Sequence, residues 1–212
     1  MDALRVAIID YEAGNLRSIA TALTLAGADV VLAPTPQEAG GCDAVLLPGV
    51  GAFGAAMQRL EAAGFPAWLR GQVDAGVPLI GVCLGMQLLF ESSEESDGVR
   101  GLGLLQGDVG RLPSGLKVPH MGWNQVVPRP GRPFDVVDQA FFYFAHSYLV
   151  RPADAAVVAA SVRYGMEVPA AVRCGCILGM QFHPEKSGAV GQRLLQGVIA
   201  WCANVRAVPS GA

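Results

Sequence analysis

The chain has 212 residues, of which 52% are hydrophobic, and its 15 Lys and Arg stand against 18 Asp and Glu, a formal charge of −3. A chain of this length forms one domain by default. The charge balance, with no block of basic residues, argues against nucleic acid as a partner. The most apolar segment, residues 77–90, is too short to span a bilayer, and the N-terminus lacks the charged head of a signal peptide. We therefore expect a cytoplasmic protein without a membrane partner.

The five cysteines do not indicate a disulfide framework, because their odd number leaves one unpaired and a reducing compartment keeps them as thiols. Cys174 and Cys176 form a C-x-C pair. The chain has no second such pair and only three histidines, so a structural zinc is the minor alternative. We expect neither a metal nor another cofactor.

Strands and helices alternate through the first 92 residues. The apolar patterns predict strands at residues 4–10, 28–33, 43–47 and 77–82, with helices at residues 15–27, after Pro36, in two stretches between residues 53 and 73, and at residues 84–92. This alternation predicts an α/β fold with a doubly wound, mostly parallel sheet and helices on both faces. The high apolar content agrees, since parallel strands are buried on both faces.

The sequence pattern changes past residue 97, where short apolar runs separated by Gly and Pro predict an inserted set of antiparallel strands. Further strands are expected at residues 141–145, 156–162, 170–173 and 177–182, and a last helix at residues 191–203. We assign residues 1–204 to a single domain and residues 205–212 to a frayed tail.

The sequence Gly81-Val82-Cys83-Leu84-Gly85 stands where the fourth strand meets its helix, the layout of a nucleophile elbow with Cys in place of Ser. The flanking glycines suit a tight turn in which a side chain would collide with its neighbours. A thiol at a helix N-terminus is shifted toward the thiolate. The alternative is an inert cysteine buried at the end of a strand.

The segment Phe182-His183-Pro184-Glu185 follows another apolar strand. In an extended segment residues i and i+2 project to the same side, so His183 and Glu185 can reach one site. Such a pair would let Glu185 orient the ring while His183 takes the thiol proton, in the chain order Cys, His, Glu. Alternatively, His183 bonds only to backbone and Glu185 caps the following helix.

Together, the elbow at residues 81–87 and the segment His183-Pro184-Glu185 resemble the class I, triad-type glutamine amidotransferases, and the resemblance covers nearly the whole chain. It implies a glutaminase that cuts the side-chain amide of L-glutamine with Cys83, His183 and Glu185. By the same similarity, Gln87, Ser147 and Tyr148 are candidates for holding the substrate. The alternative places Gln87 as a turn cap and Tyr148 in the core, and we expect Glu94 and Glu95 to face solvent.

Residues 49–54 match G-x-G-x-x-G, and Asp74 stands about 20 residues on, as in a dinucleotide fingerprint. That fingerprint normally follows the first strand, whereas this one follows the third. The resemblance instead implies an oxyanion loop, whose donors would be the Leu84 N–H and one from Val50 or Gly51. Gly49 would leave the neighbouring peptide free to rotate, so that half of the oxyanion hole forms only when needed.

Three further strings, at residues 120–124, 142–148 and 181–187, resemble the glutaminase subunits of imidazole glycerol phosphate synthases. That branch implies histidine biosynthesis and a heterodimer with a (β/α)8-barrel cyclase that receives the ammonia. We expect four residues at or near the shared surface: Asn15, His120, Met121 and Trp123. Met121 and Trp123 could instead be core residues of the inserted strands. One departure is Glu12, where that branch usually has glycine.

Other functions stay open at this level. A stand-alone γ-glutamyl hydrolase would use the same triad without a partner. A non-catalytic module of this fold would keep the sheet and leave Cys83 unreactive. The nearest alternative functions are those of the glutaminase subunits of other amidotransferases, and residues 120–124 argue against them.

Overall fold

The computed structural model describes residues 3–12, 14, 16–130, 133–136 and 139–207. Its helices are α1 (Leu16–Leu25), α2 (Pro36–Ala39), α3 (Phe53–Ala62), α4 (Phe65–Asp74), α5 (Leu84–Leu88) and α6 (Gly188–Ala207). Its strands are β1 (Arg5–Ile9), β2 (Asp29–Ala33), β3 (Ala44–Leu47), β4 (Leu79–Val82), β5 (Ser92–Ser93), β6 (Gly107–Arg111), β7 (His120–Pro128), β8 (Phe141–His146), β9 (Tyr148–Pro152), β10 (Val158–Tyr164), β11 (Met166–Cys174) and β12 (Ile177–Met180).

A nine-stranded sheet runs through the molecule in the order β2-β1-β3-β4-β12-β11-β10-β7-β8. The pairs from β2 to β12 are parallel, and those from β12 to β8 are antiparallel. Strands β3 and β4 are buried throughout, as expected for parallel strands covered on both faces. The predicted fold class, a mostly parallel α/β sheet extended by antiparallel strands, is confirmed.

Helices cover both faces of the parallel half. Successive residues of a strand point to opposite faces. Val6 and Ile8 of β1 accordingly join one apolar cluster with residues of α1 and α6, whereas Ala7 and Ile9 join a second cluster with residues of α3 and α4. The core is thus divided into two layers by the sheet.

The antiparallel half curls back toward the parallel half. Its last strand, β8, meets the segment after β12, where the His183 N–H donates to the Tyr143 carbonyl at 2.9 Å. A second sheet of β5, β6 and β9 lies beside the antiparallel half. Because β3, β4 and β12 are parallel, their carboxyl ends share one edge, and the curl brings the end of β8 to that edge.

Several predicted bounds were wrong. The helix after Cys83 ends at Leu88, since Ser92 and Ser93 pair with β6 instead of continuing it. Strand β9 was missed. The last helix runs from Gly188 to Ala207, so residues 205–207 are helical and not part of a tail. Residues 208–212 lie outside the described part of the chain, in which no helix is long and apolar enough to cross a membrane.

Two helical glycines should respond oppositely to alanine. A Cβ on Gly191, in α6, would lie 1.9 Å from the Pro184 carbonyl oxygen, whereas a Cβ on Gly71, in α4, would meet nothing within 4 Å. We expect Gly191→Ala to lower the free energy of unfolding by about 1–3 kcal/mol through overpacking. Gly71→Ala should raise it by about 0.4–1 kcal/mol by restricting the unfolded chain. Urea unfolding measures both. A higher free energy of unfolding in Gly191→Ala would contradict the close packing of α6 against the Pro184 carbonyl.

Candidate active site

Cys83 sits at the junction of β4 and α5 in a strained backbone conformation, with φ 55° and ψ −111°. Such left-handed angles cost a residue other than glycine about 1–3 kcal/mol and persist only where the surroundings enforce them. The Cys83 N–H donates to the Met180 carbonyl at 2.7 Å. A Cβ on Gly85 would lie 1.9 Å from the Leu47 carbonyl oxygen, and one on Gly81 would lie 2.7 Å from the Gly85 carbonyl oxygen. The flanking glycines are therefore required by close backbone approach.

His183 and Glu185 reach the same place from the segment after β12. The His183 Nδ1 lies 2.8 Å from the Glu185 Oε1, and both side chains are at least 96% buried. The imidazole also interacts with the Cys83 thiol, which is one of the groups that raise its pKa. Burial lowers the pKa of His183, but the hydrogen bonds to Cys83 and Glu185 outweigh it and raise the pKa to about 9. The ring therefore holds a proton readily while it lies between a thiol and a carboxylate.

A cavity of about 320 Å³ opens over the sulfur and has the size of a small-molecule site. The structure brings eight of the predicted catalytic, oxyanion-hole and substrate-binding residues to its wall: Val50, Gly51, Cys83, Leu84, Gln87, Ser147, Tyr148 and His183. Glu185 lies behind His183, away from the cavity.

Glu95 also lines the cavity, which corrects the expectation that it faces solvent. It is half-buried, and its Oε2 accepts from the Phe53 N–H at 2.7 Å, the first N–H of α3. Glu94 does face solvent and pairs with Arg151 at 2.7 Å. The two acids are neighbours in the sequence with no local signal that separates them, and only the folded structure shows that Glu95 lines the cavity.

The glycine-rich loop after β3 packs on the elbow. The Leu84 N–H, a predicted oxyanion donor, donates to the Gly49 carbonyl at 3.4 Å. The preceding carbonyl, of Pro48, accepts from the Tyr11 hydroxyl at 2.7 Å. Between these anchors and Gly51, which has φ 101°, lies Val50. In this conformation the Gly49 carbonyl therefore occupies one of the two predicted donors.

Gln87 does not cap a turn. Its Nε2 donates to the Tyr148 carbonyl at 3.2 Å and to the Gln181 Oε1 at 3.0 Å, both far away in sequence. The Gln181 Nε2 in turn lies 3.8 Å from the Cys83 sulfur. A chain of amides thus joins the cavity wall to the thiol.

The other two histidines form a buried pair. The His146 Nδ1 lies 2.8 Å from the Tyr148 carbonyl, which can only accept, so this nitrogen carries the hydrogen. The His146 Nε2 must then accept from the His120 Nδ1, at 2.9 Å, and the His120 Nε2 accepts from Asn124 at 3.3 Å. Burial lowers the pKa of both rings to about 4. The pair is neutral, with both tautomers fixed.

His120, expected at or near the shared surface, is therefore a buried residue and not an exposed one. Strand alternation turns it inward, where only 3% of it is exposed, while Met121 and Trp123 point outward with 64% and 57% exposed. The reading of Met121 and Trp123 as core residues was wrong. Asn15 lies outside the described residues.

Glu12 adopts φ 64°, in the left-handed region that favours glycine. This explains why glycine is usual there in the branch that the sequence resembles. The Glu12 carboxylate lies 3.7 Å from Arg59, and both side chains are exposed. Such an exposed pair contributes little to stability.

The described residues contain no group of three or more His, Cys, Asp or Glu placed to hold a metal ion. Cys174 is exposed and Cys176 half-buried, at the turn between β11 and β12. Neither residue lies on the wall of the cavity over Cys83.

The three histidines should be distinguishable in one experiment, because opposite pKa shifts are expected in one protein. In ¹⁵N-histidine NMR at pH 7, His183 should be doubly protonated and lose its proton near pH 9, whereas His120 and His146 should be neutral Nδ1–H tautomers down to about pH 5. Cys83→Ala should lower the pKa of His183 alone, since it removes one hydrogen-bond partner. Three rings titrating together near 6.5 would contradict the described hydrogen bonds.

Comparison with known proteins places this geometry in a family. The family model for class-I glutamine amidotransferases matches residues 7–199. The chain is 48% identical over 193 residues to the imidazole glycerol phosphate synthase subunit HisH of Moorella thermoacetica, covering 90% of this chain and 92% of that one. It is 47% identical over 195 residues to the subunit of the same name from Methanothermobacter thermautotrophicus, covering 92% and 97%.

Solved structures show the same fold at lower identity. A glutamine amidotransferase crystal structure superposes with a TM-score of 0.75 at 21% identity, covering 96% of this chain and 99% of that one. PurLQS from Thermotoga maritima gives a TM-score of 0.75 at 19% identity, covering 95% and 99%. With the family model matched over most of its length and relatives near half identical, the chain belongs to the class-I glutamine amidotransferase family.

Proposed function

We propose that this chain is a glutaminase in which Cys83 is the nucleophile, His183 the general base and acid, and Glu185 the residue that orients His183. The observation that carries the proposal is the position of the His183 ring, which lines the same cavity as Cys83 and lies 2.8 Å from Glu185. Nucleophile, base and orienting acid in hydrogen-bond contact are the mark of triad catalysis.

The chemistry follows from the positions of these groups. With the thiol proton already on His183, the Cys83 thiolate attacks the side-chain amide carbon of glutamine to form a tetrahedral oxyanion. His183 then gives its proton to the amide nitrogen, so that ammonia leaves and a thioester stays on Cys83. Water, deprotonated by His183, attacks the thioester, and glutamate and the free thiol are released.

L-glutamine fits the cavity in size and in charge. Its amide would lie at Cys83, in a cavity that is also lined by Gln87, Ser147 and Tyr148. Glu95 adds a carboxylate to the lining of this cavity, where it would pair with the substrate's α-ammonium group. Gln87 uses its Nε2 in bonds to Tyr148 and Gln181, so it would contribute its oxygen as an acceptor.

The oxyanion hole is proposed to be gated. The Leu84 N–H is bonded to the Gly49 carbonyl, so it cannot serve an oxyanion until that carbonyl moves. Turning the Gly49–Val50 peptide would free Leu84 and bring the Val50 N–H to the same side. Tyr11 holds the Pro48 carbonyl, which confines the movement to this peptide. One donor of this kind is worth about 3 kcal/mol of transition-state stabilisation.

The ammonia is proposed to serve the cyclase of imidazole glycerol phosphate synthase in histidine biosynthesis, because the relatives are named as subunits of that synthase. The cyclase, a (β/α)8 barrel, would convert the ribulosyl intermediate of the pathway into imidazole glycerol phosphate and an aminoimidazole carboxamide ribotide. Free ammonia is protonated in neutral water and is then no nucleophile. Transfer therefore needs a heterodimer with a protected interface.

We place that interface at an apolar face formed by Met121, Trp123 and Val127 of β7 with Phe141 of β8, each more than half exposed. These side chains share one side of the paired strands. Met121 also lines the cavity over Cys83, so the face is continuous with the site. Large apolar side chains such as Trp123 are the anchors on which interface affinity usually depends.

The triad roles can be tested by substitution in the complex with the cyclase. Cys83→Ala and His183→Ala should abolish glutamine hydrolysis, whereas Glu185→Gln should leave a measurable remnant, since acid-base help is worth roughly 100- to 10,000-fold. Glutamate release measures all three. Full activity in Glu185→Gln would make Glu185 a structural residue. As a check on the nucleophile, an electrophilic glutamine analogue should modify Cys83 and spare the other four cysteines on peptide mapping.

The proposed interface and gate can be tested together. The lone chain should hydrolyse glutamine slowly, and the ligand-loaded complex roughly 100- to 1,000-fold faster, the effect of one oxyanion donor. Trp123→Ala should weaken binding of the cyclase about 30-fold, the effect of ~2 kcal/mol at a hot spot. Leu32→Ala is the control, because Leu32 is 45% exposed on β2, at the opposite edge of the sheet.

High activity in the lone chain would refute gating. Normal binding and activation in Trp123→Ala would show that the interface does not lie at the apolar face.

A further inference from the structure

Gln181 is a buried polar residue that the proposed mechanism has not used. It follows β12, two residues before His183, and none of its surface is exposed. Its amide lies between two groups: the Oε1 is 3.0 Å from the Gln87 Nε2, and the Nε2 is 3.8 Å from the Cys83 sulfur. Burial of an amide is costly unless each end has a partner, so these contacts fix its place.

The orientation of this amide is determined by a backbone carbonyl. The Tyr148 carbonyl can only accept, so the Gln87 atom 3.2 Å away from it is the NH₂ group. That same NH₂ group faces Gln181, which must therefore present its oxygen. The other end of Gln181, its NH₂ group, is left pointing at Cys83. The Tyr148 carbonyl is itself held by His146 at 2.8 Å.

The groups around the sulfur differ in which protonation state they favour. The Ala145 carbonyl, 4.0 Å from the Cys83 Sγ, can accept the hydrogen of a thiol but repels a thiolate. The Gln181 N–H, as a donor, favours the thiolate. Hydrogen bonds to a charged group are stronger than those to a neutral one, so the donor gains most when the sulfur is ionised.

We propose that Gln181 is a positioning residue whose buried amide donates an N–H to the Cys83 sulfur and holds it as a thiolate aimed into the cavity, with Gln87 and the Tyr148 carbonyl fixing that amide. Gln181 does not line the cavity, so it acts through Cys83 and not on the substrate. This inference rests on the proposed role of Cys83 as nucleophile.

The test is the pH dependence of Cys83 alkylation by iodoacetamide, followed by peptide mapping on the lone chain. In Gln181→Met, which keeps the volume and removes the N–H, the midpoint of the profile should move upward by about one pH unit, so that alkylation at pH values well below the midpoint is roughly tenfold slower. Gln181→Glu should move it further, because a carboxylate replaces the donor.

The matched control is Gln192→Met, which loses a hydrogen bond from the Gln192 Nε2 to the Ala22 carbonyl at 3.2 Å, between α6 and α1. It should leave the alkylation profile unchanged. If Gln181→Met does not fold, Gln87→Met takes its place in the test. This substitution frees the Gln181 amide from Gln87, so the midpoint should move in the same direction but by a smaller amount. An unmoved midpoint in a folded Gln181→Met, or in Gln87→Met when it stands in, would overturn the proposal.

Alkylation needs neither glutamine nor a cyclase, so the two proposals can fail separately. A protein that hydrolyses glutamine but shows no shift in Gln181→Met would keep the glutaminase and overturn the role of Gln181. If Gln181→Met shifts the alkylation midpoint but the wild-type protein never hydrolyses glutamine, the role of Gln181 as a donor to Cys83 stands and the proposed glutaminase function is overturned.

Discussion

The close approach of Gly85 to β3 is the contact on which the site depends. A single Cβ at Gly85 would lie 1.9 Å from the Leu47 carbonyl oxygen, so β4 and α5 can only meet β3 this closely without a side chain. That contact forces the chain to turn within one residue, which puts Cys83 at φ 55°. It also brings the Gly49 carbonyl to the Leu84 N–H. The strained thiol and the loop that faces it thus share one cause.

Partners, and not burial alone, decide the charge of the histidines. All three are at least 95% buried. His183 has an acid and a thiol as neighbours, and its pKa rises to about 9, whereas His120 and His146 face each other and a carbonyl, and their pKa values fall to about 4. Desolvation opposes the charged form in each, but only His183 has an anionic partner to offset it. The His183 ring is thereby ready for proton transfer, whereas His120 and His146 stay neutral and His146 hydrogen-bonds the Tyr148 carbonyl.

Strand β7 connects the proposed partner face with the interior. Its alternation sends Met121 and Trp123 to the surface and His120 and Asn124 toward the buried hydrogen bonds. Those bonds continue through His146 to the Tyr148 carbonyl, where Gln87 also donates. The two sides of one strand therefore contact the two regions that the proposed function needs to link.

Sequence patterns alone determined the alternating strands and helices and the elbow at Cys83, because these depend on local periodicity and on glycines at fixed spacing. They also brought His183 and Glu185 to one side, since i and i+2 in an extended segment must project together. Only the tertiary structure decided which of Glu94 and Glu95 faces the cavity, where His120 points, and that Gln181 reaches the sulfur. Those outcomes depend on how β5 pairs and how the antiparallel strands curl back to His183, contacts between residues far apart in the chain that no local pattern records.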